Sequence, residues 1–148
     1  MIRLLASVSC LLLLLSQSPA QTYKQLPPPG MEIDSRIGKE LLQRVNQLEA
    51  KLASLDHRAP DVEVLVRAVR LALDQNLFFK KDQPRQAQLL LDEASDRLDR
   101  FRAGQRGLAL MGLAAKPMDR PQLLVGGFAS RIDDSVQPYG LVVPAGYA

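Results

Sequence analysis

Leu123-Leu124-Val125-Gly126-Gly127-Phe128-Ala129-Ser130-Arg131-Ile132-Asp133-Asp134-Ser135-Val136-Gln137-Pro138-Tyr139-Gly140-Leu141-Val142-Val143 is the stretch on which the reading of this chain turns. Leu123 to Ile132 and Val136 to Val143 read as two strands, and Asp133-Asp134-Ser135 reads as the turn between them. That turn lacks the glycine most favourable to a tight hairpin, although Asp tolerates left-handed φ better than most residues. Pro138 cannot donate to a ladder, so it belongs at an edge or a bulge. A two-stranded hairpin alone is marginally stable in water. Upstream helices can cover it, another chain can pair with it, or further strands can follow; these alternatives separate the possible functions.

Upstream of the hairpin the apolar period is helical. Asp34 or Ser35 can cap a first helix from Ser35 to about Leu55, with Ile37, Leu41, Val45, Leu48, Leu52 and Leu55 as its apolar stripe. Pro60 suits the first position of a second helix reaching about Gln75, with Asp61 and Glu63 in its first turn and Val62, Leu65, Val66, Val69 and Leu73 on its apolar face. Phe78 and Phe79 are expected to plug the end of this helix pair rather than line a ligand cleft. Pro84 opens a third helix and Gly104 closes it, with Ala87, Leu90, Leu91, Ala94, Leu98 and Phe101 as the buried stripe. Asp92, Glu93, Asp96, Arg97, Asp99 and Arg100 form its solvated face. Short turns make the three helices antiparallel neighbours. Residues 105–121, punctuated by Gly107, Gly112, Pro117 and Pro121, form an irregular connector.

The N-terminus has the three parts of an export signal: Arg3, an apolar run from Leu4 to Leu15, and small residues at Ser18 and Ala20, with cleavage expected between Ala20 and Gln21. The run is shorter than the roughly 20 residues of a spanning helix, so no stable membrane span is expected after cleavage. Cys10, the one cysteine, precedes most of the apolar run and leaves with residues 1–20. The mature chain then has no disulfide framework, thiolate nucleophile or cysteine metal site. Residues 21–33, which include Pro27-Pro28-Pro29-Gly30, read as a linker.

The remaining composition excludes more than it assigns. The formal charge is +3, and basic and acidic residues interleave, as in Asp96-Arg97-Leu98-Asp99-Arg100. Trp is absent, and the three Tyr and four Phe do not line up with the positive charges, so no nucleic-acid surface is expected. His57, the one histidine, sits in an inter-helix turn. No serine lies in a Gly-x-Ser-x-Gly elbow, and Gly126-Gly127 lacks the lysine and helix of a phosphate loop. No catalytic residue, cofactor-binding residue or metal ligand is assigned.

Ser130, Ile132, Asp133, Ser135, Gln137, Pro138, Tyr139, Gly140 and Leu141, preceded by Phe128 and followed by Pro144, carry a pattern of their own. It resembles the opening of the catalytic domain in secreted bacterial prolyl-oligopeptidase-like α/β-hydrolases: an aromatic residue, Ser-x-Ile-Asp-Gly-Ser-x-Gln-Pro-Tyr-Gly-Leu, then β-branched residues and Pro. Asp134 stands where that family usually has Gly. Asp61-Val62-Glu63 and Phe78-Phe79 are similar to the helical preamble of the same group, while Leu108 to Arg120 departs from it. The resemblance implies that the hairpin is the antiparallel edge of a large sheet. The nucleophilic Ser, the Asp and the His would lie later, beyond Ala148. Tyr139 is expected to pack rather than to touch substrate.

The expected fold class is therefore α+β: a signal peptide at 1–20, a linker at 21–33, a three-helix antiparallel accessory region at 34–104, a connector at 105–121, and a hairpin at 122–148 that resembles the first strands of an α/β-hydrolase sheet. The expected function is the N-terminal fragment of an exported serine hydrolase, peptidase or esterase, secreted or periplasmic, whose partner is the missing C-terminal hydrolase domain. The alternative is a non-enzymatic exported helical module that binds a protein partner through its helices or its hairpin edge.

Overall fold

The computed structural model describes residues 29–113 and 119–147. The signal segment, its cleavage position at Ala20 and Gln21, and most of the linker lie outside the described residues. The elements are α1 (Ser35–Ala53), α2 (Pro60–Asp74), α3 (Gln83–Arg102), a short α4 (Gly107–Leu110), β1 (Gln122–Ala129) and β2 (Val136–Val143). The class is α+β, with a two-stranded antiparallel hairpin as its sheet. The expected three helices are joined by the one-turn α4, inside the segment whose composition suggests an irregular connector.

Local chemistry explains the helix ends. The Asp34 carboxylate accepts from the amides of Arg36 and Ile37 and caps α1. Pro60 starts α2, which needs no amide donor there. Both α2 and α3 end in a Schellman motif. At α2, Asn76 takes φ +49° and the Leu77 amide reaches back to the Ala72 carbonyl at 2.9 Å. At α3, Gly104 takes φ +85° and the Gln105 amide reaches the Arg100 carbonyl at 2.9 Å.

The core forms where the three apolar stripes meet: Leu41, Val45 and Leu48 from α1, Val62, Leu65, Val66 and Val69 from α2, and Ala87, Leu91, Ala94 and Leu98 from α3. Val64 is buried as well, because α2 packs against α1 and α3 and also against both strands. Phe78 closes the end of the helix pair as expected, whereas Phe79 and Leu90 remain exposed. Residues 30–33, expected as the end of a linker, belong to the fold. The Met31 amide donates to the Phe78 carbonyl at 2.7 Å, the Asn76 side-chain amide donates to the Gly30 carbonyl at 3.2 Å, and Met31 and Ile33 pack on the core.

The hairpin pairs Gln122 with Val143 at one end and Ala129 with Val136 at the other. β1 stops at Ala129 rather than at Ile132. Ser130 to Ser135 make the turn, in which Asp134 adopts φ +55° and the Ser130 amide donates to the Ser135 carbonyl at 2.8 Å. The Asp133 carboxylate gathers the Ser135 amide at 3.3 Å and hydroxyl at 2.8 Å.

Two glycines let the hairpin lie close to its surroundings. A Cβ on Gly127 would stand 2.3 Å from the Pro60 carbonyl oxygen and 3.0 Å from the Val64 Cβ. A Cβ on Gly126 would collide with the Tyr139 ring at 2.5 Å and the Met111 methyl at 2.6 Å. The Gly126-Gly127 pair therefore serves close backbone approach. Gly127→Ala is expected to destabilise the chain by about 1–3 kcal/mol, the range for overpacking a closed contact. A denaturant midpoint unchanged from the parent would contradict this docking.

Candidate functional site: the hairpin edge and its anchor

In an antiparallel pair, hydrogen-bonded and non-hydrogen-bonded residue pairs alternate. The Ser130–Ser135 bond sets the phase. Ala129–Val136, Gly127–Pro138, Val125–Gly140 and Leu123–Val142 are then the pairs whose backbone groups point outward. Pro138, which has no amide proton, occupies one of these outward positions.

Along β1 the helices bind these outward groups. The Gly127 amide donates to the Asp61 carboxylate at 2.9 Å. The Val125 carbonyl accepts from the Arg97 guanidinium at 2.7 Å. Charge alternation assigns Arg97 to the solvated face of α3, but it is 4% exposed. Its guanidinium also donates to the Asp61 main-chain carbonyl at 3.1 Å and pairs with Glu93 at 2.7 Å. One buried cation thus ties α2, α3 and β1 together. The i,i+4 spacing of Glu93 and Arg97 is legible in the sequence, but nothing local shows that β1 passes over that turn of α3.

The β2 edge is anchored only at its turn end. Arg67 on α2 donates to the Val136 carbonyl at 3.1 Å, and Arg58 donates to the Asp134 carbonyl at 2.7 Å. Among the described residues, no hydrogen bond reaches the outward groups of Gly140 and Val142. The register puts Gly127, Ala129 and Val136 on the face toward α2, and Val125, Leu123 and Val142 continue that face beyond the helices. Leu123 is 73% exposed and Val142 66%. Ile132, at the turn, is 98% exposed. This half of the hairpin presents an apolar surface beside an unpaired edge, the arrangement that recruits further strands.

Tyr139 bridges the anchored and open halves. It sits opposite Gly126, covers the space a side chain would fill there, and lies 6.5 Å from the Phe128 ring. More than a third of the residue is exposed, but its hydroxyl end lies against Gly126. Burial first, and then the charge and hydrogen bonding of Asp61, raise its phenol above the ordinary value, with Arg97 opposing. Tyr139 therefore packs on the anchor, as expected. His57 is an exposed residue in the turn between α1 and α2. Among the described residues, no group of three His, Cys, Asp or Glu side chains is placed to hold a metal ion, and no helix is long and apolar enough to cross a membrane.

Two outcomes test this geometry. Arg97→Leu keeps the apolar stem and removes the charged bonds to Val125, Asp61 and Glu93. It is expected to cost about 2–3 kcal/mol, with Gly127 amide exchange accelerated more than amides in the centre of α1. Equal acceleration in both places would show that Arg97 does not anchor the hairpin specifically. The second outcome concerns Asp133, whose carboxyl is held below its ordinary value by the Ser130 hydroxyl first and then by the Ser135 hydroxyl and amide. Its contribution is present above the unfolded-chain value and is lost as pH falls through the lower folded value. The Ser135 amide resonance should therefore titrate with a midpoint below that of a free aspartate, and Asp133→Asn should abolish the transition. The chain matches no protein-family model, no curated protein and no solved structure.

Proposed function

We propose that this chain is the N-terminal part of an exported serine hydrolase of the prolyl-oligopeptidase-like group, and that its hairpin is the edge on which the catalytic sheet continues. The observation that carries this reading is the asymmetry of the hairpin. The helices meet the Gly127 amide and the Val125 carbonyl on the outer edge of β1, while among the described residues no hydrogen bond reaches the outward groups of Gly140 and Val142 of β2, beside the exposed Leu123 and Val142 side chains. The likeness of Phe128 and Ser130–Pro144 to the opening strands of those hydrolases supports the same direction of growth. In this reading α1–α3 form an accessory layer, and the nucleophile, acid and histidine come from residues beyond Ala148. The export signal at residues 1–20 would bring the protein to the periplasm or the medium.

A second reading is favoured by the core, which comes from the helices and their turns apart from Val136 at the start of β2. In it the chain is a non-enzymatic exported module, and β2 pairs with the sheet edge of another protein by strand addition.

Labelling exported proteins of the native cell with a fluorophosphonate, followed by detection with an antibody to α1–α3, separates the two. The hydrolase reading expects a labelled species well above the 16.3 kDa of this chain, with a Gly-x-Ser-x-Gly and a late His encoded downstream of codon 148. An unlabelled product of this chain's own size, with no hydrolase sequence in any downstream frame, would overturn it in favour of the binding module.

A further inference from the structure

A groove of about 400 Å³ opens between the end of α1, the middle of α2 and the start of β2, within the size range of small-molecule sites. Leu52, Val66 and Val136 give it an apolar floor, with Val66 and Val136 buried. Three guanidinium groups and two carboxylates line it, Arg58, Arg67 and Arg70 against Glu49 and Glu63. Arg58 is paired with Glu63 at 3.0 Å and with Asp134 at 3.0 Å, and Arg70 with Glu49 at 2.6 Å. Arg67 differs from both. One of its terminal nitrogens donates to the Val136 carbonyl, and among the described residues it forms no ion pair.

We infer that this groove binds a monocarboxylate carried on a compact apolar body, with the carboxylate on Arg67 and the body against Leu52 and Ala53, above the floor that Val66 and Val136 form. The lining charge selects the ligand. Arg67 is the one lining guanidinium with no carboxylate partner among the described residues, which matches a single negative charge, and Glu49, Glu63 and Asp134 around it disfavour a dianion such as phosphate. Arginine is suited to this task because its donors form a planar fork that meets a carboxylate with two parallel bonds. The chemistry is shared by a small branched free acid and by the C-terminal apolar residue of a peptide. The inference is independent of the hydrolase reading, since the residues that would hold the ligand lie on α1, α2 or the start of β2.

The test is an NMR titration of the ¹⁵N-labelled full chain with 4-methylpentanoate, with acetyl-alanyl-leucine as the peptide terminus, and with 4-methylpentanamide as the uncharged control. The expected result is saturable movement of the Val66, Arg67 and Val136 amides with an acid at about 1 mM. The amide control should be weaker by at least about tenfold, the size of one lost charge-assisted hydrogen bond. The tighter of the two acids identifies the source. Arg67→Gln should weaken binding to a similar degree. Because Arg67 also holds Val136, Ala53→Glu supplies a second variant. It places a carboxylate at the exposed groove rim without touching the core, and it should abolish acid binding with the amide spectrum of the fold retained. Equal binding of acid and amide, acid binding unaffected by both substitutions, or no saturable shift with either acid would overturn the inference.

Discussion

Asp61 and Arg97 take the place of a third strand along the outer edge of β1. A strand edge exposes amide and carbonyl groups that are costly to bury without partners. Here the Gly127 amide is met by a carboxylate and the Val125 carbonyl by a guanidinium, so β1 can lie against α2 and α3 without leaving those groups unsatisfied. Arg97 can be buried because it finds acceptors in every direction: the Glu93 carboxylate, the Asp61 carbonyl and the Val125 carbonyl. Glu93 remains partly solvated, which limits the desolvation cost of the pair. The rest of the hairpin's placement, including the close seating of Gly127 on Pro60, depends on this exchange of ladder bonds for side-chain bonds.

The same arrangement makes the two edges of the sheet unequal. α2 is the central element, packed on α1, α3 and both strands, and it sits under the turn end of the hairpin. At the opposite end Val143 is buried on one face, while Leu123 and Val142 reach solvent on the other. Of the three ways to support an isolated hairpin, the helices supply one only in part. They meet two groups of the β1 edge and hold the turn end, and among the described residues no hydrogen bond reaches Gly140 or Val142 on the β2 side.

The helices were legible because their signals are local. The stripe from Leu41 to Leu48, the proline at the start of α2 and the glycine after α3 follow from spacing, fixed φ and permissive φ. Both strands and their turn were legible from composition and from Asp133-Asp134-Ser135, although β1 ends earlier because Ser130 already closes the turn onto Ser135. What could not be read was long-range. Arg97 sits among alternating charges and looks solvated until β1 crosses it. Phe78 and Phe79 are alike in sequence, and only the first points into the helix pair. Residues 30–33 look like spacer because the partners that hold them, Asn76 and Phe78, lie at the far end of α2. Likewise, the arginines that meet around Val136 and Asp134 come from distant parts of the chain.

The bond between Asp61 and Gly127 joins residues 66 positions apart, whereas the helix ends close within a few residues. Contacts of such different span form in order, because the entropy of closing a long loop must be met before the distant contact contributes. The helical layer is therefore the early part of this chain to assemble, and it is also the first to be synthesised. On that order, Asp61 and Arg97 are expected to be in place before Gly127 docks between them. The helices thereby act as a mould for strand register: a hairpin slipped by one residue would present the wrong amide to Asp61, and a slip that brings Phe128 to the place of Gly127 would also set a side chain against the Pro60 carbonyl.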